Sequence, residues 1–213
     1  DLRPVNAPPV TGEEMEKLIK EIMPERLKKD LEDHRGADFA YRLRNIARFR
    51  CVAFYVNNQL GLTMRLIPID IPTVDQLKMP EVIKDIAQLH RGMVLLTGVT
   101  GCGKSTTLAS MLNFLNTSEA RRIITIEDPI EFLLPNQKCI ITQRQIGIDI
   151  PDFMHGLRQA MRMDPDVILI GEMRDVETIR IAIKAAETGH LVFSTLHTTS
   201  AVHTIQRIIG HFD

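Results

Sequence analysis

The stretch Gly98-Val-Thr-Gly-Cys-Gly-Lys-Ser105 has the residue types and spacing to do chemistry. Its three glycines let the backbone curl until successive N–H groups point at one anion. An apolar-periodic segment opening at Thr106 would add the positive end of a helix dipole at the same place. Lys104 can then set its ammonium against the outer phosphates of a nucleotide, and the Ser105 hydroxyl can ligate Mg²⁺. The expected nucleotide-binding set is therefore Gly98, Thr100, Gly101, Cys102, Gly103, Lys104, Ser105 and Thr106. The competing reading, a glycine-rich turn matching by chance, accounts poorly for an apolar run before the loop and a helical pattern after it. Cys102 serves through its backbone N–H, so its side chain should tolerate substitution while remaining open to oxidation.

Three further polar clusters each follow an apolar run. Ile123–Ile126 leads into Glu127-Asp128-Pro129-Ile130-Glu131, Val167–Ile170 into Gly171-Glu172-Met173-Arg174-Asp175, and Leu191–Leu196 into His197-Thr198-Thr199-Ser200. Glu172 stands where an acid can hold Mg²⁺ through water; Gly171 occupies the usual aspartate position, so direct ligation is not expected. Glu131 is the preferred base or orienter of an attacking water, with Glu127 and Asp128 as rivals. His197 could sense a terminal phosphate through a hydrogen bond. His190 and His197 bracket one strand, ~20 Å apart by strand rise, so they cannot share a metal ion, and His190 reads as structural. Asp175 and Ser200 also suit helix caps.

Phosphoryl transfer usually calls on an arginine, and none stands beside the loop. Arg48 and Arg50 share one face of a predicted strand, with Arg65 on the next strand. Arg158 and Arg162 are spaced i, i+4 on a predicted helix. Solvated surface charge is the plain alternative for each. The functional reading has Arg50, Arg65, Arg158 and Arg162 meeting a triphosphate across a domain or subunit boundary. Lys28-Lys29 and Arg121-Arg122 read as solvated faces.

These side chains need a scaffold. From about residue 81, strands at 93–97, 122–127, 138–143, 167–171 and 191–196 alternate with helices at 81–89, 103–115, 153–163, 175–187 and 200–209. That alternation implies an α/β unit with a mostly parallel sheet, and parallel strands present all their carboxyl ends at one edge. Residues 1–68 have a different texture. A capping-box spacing at Thr11–Glu14 opens a helix through Ile22, and Pro24 opens a second reaching Asp33. Extended segments follow at 39–43, 48–56 and 60–67, with a turn at Asn57-Asn58-Gln59. Prolines at 68, 72 and 80 mark 69–80 as a linker, leaving 81–213 as the second domain.

The chain has 213 residues, 44% of them hydrophobic, with 26 basic against 27 acidic residues and a net charge of −1. That composition argues against disorder and offers no global field for nucleic acid. No apolar run approaches the ~20 residues of a membrane span, and no signal peptide opens the chain. Cys51, Cys102 and Cys139 form no CxxC pair, so they read as reduced thiols rather than as a zinc site.

Taken in order, the motifs resemble one family, the secretion ATPases of type II and type IV pilus systems. The resemblance rests on Gly98–Ser105, the acidic box Thr125-Ile-Glu-Asp-Pro-Ile-Glu131, the Walker B segment Asp164–Asp175 and the histidine box Thr188–Thr198. Gly171-Glu-Met-Arg-Asp175 and His197-Thr-Thr-Ser-Ala201 are most similar to pilus retraction motors. The resemblance implies a RecA-like P-loop core behind a PAS-like N-terminal domain, using ATP and Mg²⁺ and assembled as a homo-hexamer. It places Glu131, Glu172 and His197 on functional positions, and it assigns Arg50, Arg65, Arg158 and Arg162 to a composite site. It also implies a cytoplasmic motor at the inner membrane, acting on a pilus platform protein. Family members begin before Asp1 and continue past Asp213, so the chain is expected to be an internal piece. A pilus extension or type II secretion ATPase is the alternative motor, and a nucleotide-binding regulatory subunit with little turnover is the other rival. A small-molecule P-loop kinase is more distant, because no acceptor-binding lid is apparent.

Overall fold

The computed structural model describes residues 5–44, 46–210 and 212. The chain divides into two units, Asp1–Ile69 and Asp70–Asp213.

In the first unit, α1 (Gly12–Ile22) starts at a complete capping box: the Thr11 hydroxyl accepts from Glu14 N–H, and the Glu14 carboxylate accepts from Thr11 N–H at 2.8 Å. A 3-10 turn (Glu25–Leu27) after Pro24 leads into α2 (Lys28–His34). Strands β1 (Gly36–Leu43), β2 (Ala47–Val56) and β3 (Gln59–Ile67) form an antiparallel sheet in that order. Asn57 and Asn58 have φ of 50° and 62°, the left-handed pair of a two-residue hairpin turn, so Gln59 belongs to β3. Alternation along β1 and β2 turns Ala37, Phe39, Cys51 and Ala53 onto the helices, where they bury Ile19, Met23 and Leu31.

The second unit is built on five parallel strands in the order β4-β8-β7-β5-β6. They are β4 (Gly92–Thr97), β5 (Arg122–Glu127), β6 (Ile140–Gln145), β7 (Val167–Ile170) and β8 (Leu191–Leu196). Period-two alternation sends consecutive residues to opposite faces. Ile124, Ile126, Ile168 and Ile170 pack against α5 (Phe153–Ala160) and α6 (Val176–Glu187). Ile123, Val167, Leu169 and Phe193 pack against α3 (Val82–Ala87) and α4 (Lys104–Ser118). The last helix, α7, spans Ala201–Ile209. The unit is thus α/β with both sheet faces covered.

Four differences from the sequence reading have physical causes. β6 begins two residues later than expected, because Asn116 at the end of α4 takes the N–H groups of Gln137, Lys138 and Cys139 before the sheet can. α5 ends at Ala160, and the N–H groups of Arg162 and Met163 close tight turns instead, so Arg158 and Arg162 do not share a helix face. The segment 70–80, read above as part of a linker, lies against the second unit: Ser110 Oγ donates to Pro72 carbonyl at 2.6 Å, and Val74 is buried. Arg121 is no solvated cation. It is buried, pairs with Glu119 at 2.6 Å and donates to the carbonyls of Leu89 and Gln88. Arg122 is half-buried beside it, with its backbone N–H on Asp166.

Candidate nucleotide site

The phosphate loop leaves β4 at Gly98 and enters α4 at Lys104. Gly101 and Gly103 have φ of 81° and 96°, left-handed values that an L side chain adopts only under strain. Gly98 has a second reason to lack a side chain, since a Cβ there would lie 2.6 Å from Cys102 Sγ. Lys104 curls back over its own loop, donating to the carbonyls of Gly98 at 2.8 Å and Val99 at 3.0 Å. Its ammonium therefore lies against the start of the loop. Ser105 is exposed at the first turn of α4, Thr100 and Cys102 are exposed in the loop, and Thr106 is half-buried.

Strand order decides which loops lie next to this one. β4, β8, β7 and β5 are successive neighbours, and the register aligns their ends: Thr97 with Leu196, Ile170 with Ser194, and Ile126 with Ile170. Because all are parallel, the phosphate loop, the His197 loop, the Glu172 loop and the acidic loop follow one another along a single edge. Successive strands are ~4.8 Å apart, so the four loops span roughly 15 Å, about the length of a nucleoside triphosphate.

The middle two loops are in contact. Glu172 Oε1 lies 3.4 Å from His197 Nε2, and Glu172 Oε2 accepts from Arg174 Nε at 2.7 Å. Glu172 is thus bracketed by two basic groups, one of which sequence reasoning missed. The signal was the extended alternation after β7: Glu172 and Arg174 point one way, and Met173 between them is buried. Sequence reading also passed over Ser194 and Thr195. Both are buried on β8, and their hydroxyls donate to the carbonyls of Ile170 at 2.8 Å and Gly171 at 2.7 Å, which pins the Glu172 loop to its neighbour. Arg207 of α7 donates to the His197 carbonyl at 3.2 Å.

Gly171 has a steric explanation. Its N–H reaches the Ile126 carbonyl at 2.8 Å, and a Cβ would meet that oxygen at 3.3 Å and Glu127 Cα at 3.4 Å. An aspartate there would press on the backbone of β5.

In the acidic loop Glu131 is exposed, whereas the Glu127 carboxylate is packed about by protein even though part of the residue reaches the surface. Burial pushes the Glu127 pKa above the usual carboxylate range, against the pull of its hydrogen-bond donors. Asp128 is exposed. Asp175 and Ser200 prove to be helix caps, accepting from Thr178 N–H and His203 N–H. His190 lies at the far end of β8 from His197, with Nδ1 2.9 Å from the Ala185 carbonyl.

The four arginines fall in two pairs, one in each unit. Arg50 and Arg65 are register partners across β2 and β3 of the first unit, so two like charges face each other, and Arg50 lies 3.6 Å from Asp38. Arg158 pairs with Glu177 of α6 at 3.0 Å, and Arg162 is exposed. α5 begins beside the edge that carries the loops, since a Cβ on Gly171 would lie 3.8 Å from Phe153.

A loop of left-handed glycines with an ammonium against it fits a triphosphate. A serine hydroxyl and a carboxylate at the same edge are oxygen donors that suit Mg²⁺. Among the described residues no group of three His, Cys, Asp or Glu side chains is placed to hold a metal without a nucleotide. Among them, too, no helix is long and apolar enough to cross a membrane.

Known proteins with the same pattern were found. The type II/IV secretion system protein family matches residues 23–210. The type IV pilus retraction ATPase PilT of Pseudomonas aeruginosa is 49% identical over 212 residues, covering 100% of this chain and 62% of that protein. A twitching motility protein of Neisseria gonorrhoeae is 45% identical over 212 residues, covering 100% of this chain and 57% of its own length. A crystal structure of the pilus retraction motor PilT with bound ADP superimposes with a TM-score of 0.90 at 44% identity, covering 93% of this chain and 58% of that one. The chain thus spans about three-fifths of the length of these relatives. With the motifs in order on one sheet edge and the match running through both units, the chain belongs to the type II/IV secretion system protein family.

Proposed function

We propose that the chain is part of an ATP-hydrolysing motor subunit that works in a homo-hexameric ring and powers type IV pilus retraction, the movement behind twitching motility. The observation that carries the reading is the 3.4 Å approach of His197 to Glu172 at the edge where β4 delivers Lys104. A generic nucleotide-binding loop needs neither. Matches to retraction and twitching proteins along the whole of this chain support retraction as the direction of work. Type II secretion proteins also match, one from Xanthomonas campestris at 50% identity, but over 62% of the chain.

In this reading the loop N–H groups and Lys104 hold the β- and γ-phosphates of ATP. Bound Mg²⁺, reached by the Ser105 hydroxyl and through water by Glu172, would offset phosphate charge. Glu131 orients the attacking water and accepts its proton, and His197 hydrogen-bonds the γ-phosphate. Arg50 and Arg65, in what we read as the PAS-like domain, supply positive charge from across a boundary. Arg158 and Arg162, both exposed, serve the site of a neighbouring subunit. The motor would sit in the cytoplasm against an inner-membrane platform protein, without nucleic acid.

The test is steady-state ATP hydrolysis by the full-length protein against protein concentration, with Lys104→Ala as control. A shared site predicts turnover per subunit that climbs steeply as rings form and vanishes in Lys104→Ala. Turnover independent of concentration would contradict the shared site, and a protein that binds ATP without hydrolysing it would be the regulatory subunit. In cells, loss of the gene should leave abundant fibres without motility; loss of fibres would point to extension instead.

A further inference from the structure

Glu127 competes with Glu131 for the role of base, and its surroundings point to a different task. Its Oε1 accepts from the Thr125 hydroxyl at 2.6 Å and from Gln143 Nε2 at 3.1 Å. The backbone N–H of Glu131 is a third donor. Gln143 is itself committed: Nε2 also donates to the Phe132 carbonyl at 2.8 Å, and Oε1 accepts from Leu134 N–H at 2.8 Å. One carboxylate therefore knits together the end of β5, the neighbouring strand β6 and the loop from Glu131 to Leu134. Those partners lie on three separate stretches of chain. Thr125 and Gln143 are uncharged, and the charged side chain that Glu127 senses is Glu131.

A carboxylate so enclosed, with three donors on it, is badly placed to collect a proton from water. It is well placed to hold the loop that carries Glu131, which is exposed. We propose that Glu127 is a positioning residue for hydrolysis: by gathering the Thr125 hydroxyl, the Gln143 amide and the Glu131 backbone N–H, it fixes the direction in which Glu131 is presented. This rests on the ATPase reading above. The ionised form is the one that accepts from all three donors. Protonation turns one oxygen into a donor and loosens a tie, and burial makes that protonation easier than for an exposed glutamate.

The experiment is the pH profile of kcat and KM for the full-length protein, its Glu127→Gln variant and its Thr125→Val variant. Glu127→Gln keeps the size of the side chain and one acceptor oxygen but cannot ionise. It should lower kcat by roughly tenfold or more while KM for ATP stays within about twofold, since the phosphate loop is untouched. Thr125→Val removes a donor that favours the ionised form, so the acid limb of kcat should move to higher pH. A merely structural defect could lower kcat at unchanged KM but would leave the position of that limb unmoved. Wild-type kcat and an unmoved acid limb in both variants would overturn the positioning role while leaving the ATPase reading intact. Absence of Lys104-dependent hydrolysis in the wild type would overturn both.

Discussion

Gly171 stands where many phosphate-loop enzymes place a metal-ligating aspartate, and its packing predicts what restoring one would do. A Cβ at this position would sit 3.3 Å from the Ile126 carbonyl oxygen and 3.4 Å from Glu127 Cα. Both neighbours are backbone atoms at the end of β5, so neither can swing away as a side-chain end could. The Gly171 N–H is also hydrogen-bonded to that same carbonyl at 2.8 Å, which prevents the two strands from parting without loss. Overpacking of a fixed core site costs about 1–3 kcal/mol. Gly171→Ala belongs at the low end, because only one methyl must be accommodated. Gly171→Asp belongs at the high end, since it adds a carboxylate facing a carbonyl oxygen. At roughly 2–4 °C per kcal/mol for a chain of this size, the aspartate variant should melt roughly 6–12 °C below wild type. Thermal unfolding followed by circular dichroism measures this, with ATP turnover recorded below the transition. The displaced β5 carries the acidic loop, so turnover should fall as well. A Gly171→Asp protein that melts with wild type and turns over faster would refute the steric argument, leaving the glycine without a packing reason.

Three other outcomes follow from particular contacts. Arg121→Ala strips a buried guanidinium from Glu119 and two carbonyls, and should destabilise the protein by about 3 kcal/mol in denaturant titrations. A solvated arginine would give a change near zero. Because burial raises the Glu127 pKa, in the pH window between the ordinary glutamate range and the raised value the folded protein holds a proton there that the unfolded chain has released. Stability from this group should therefore fall as pH rises from the ordinary glutamate range through the raised value, and Glu127→Gln should flatten that slope in unfolding measured at several pH values. Arg50→Ala should lower turnover at least tenfold while ATP affinity, read by fluorescent-nucleotide displacement, stays within about twofold. Unchanged turnover would remove Arg50 from the composite site.

What could be read in advance was what depends on local pattern. The phosphate loop, the alternation of apolar strands with helices, the Thr11 box and the caps at Asp175 and Ser200 are short-range, and each stands where the residues put it. Matters settled by partners distant in sequence were not legible. Arg121 looked solvated because its acceptors, the carbonyls of Gln88 and Leu89, lie more than 30 positions away. The start of β6 moved because Asn116 on another helix claims the N–H groups before it. The steric role of Gly171 depends on β5 becoming its neighbour, which strand order decides. Spacing preferred Glu131 over its rivals Glu127 and Asp128 but was blind to their surroundings, in which the Glu127 carboxylate is enclosed and Glu131 is exposed.

The central claim is that four loops serve one triphosphate, and the most direct measurement is a crystal structure of the full-length protein with Mg²⁺ and a non-hydrolysable ATP analogue. The account predicts the γ-phosphate within hydrogen-bond reach of both Lys104 Nζ and His197, with Glu172 joined to the ion through water. A triphosphate held by Lys104 while His197 and Glu172 stay on each other, out of reach of phosphate and ion, would contradict it.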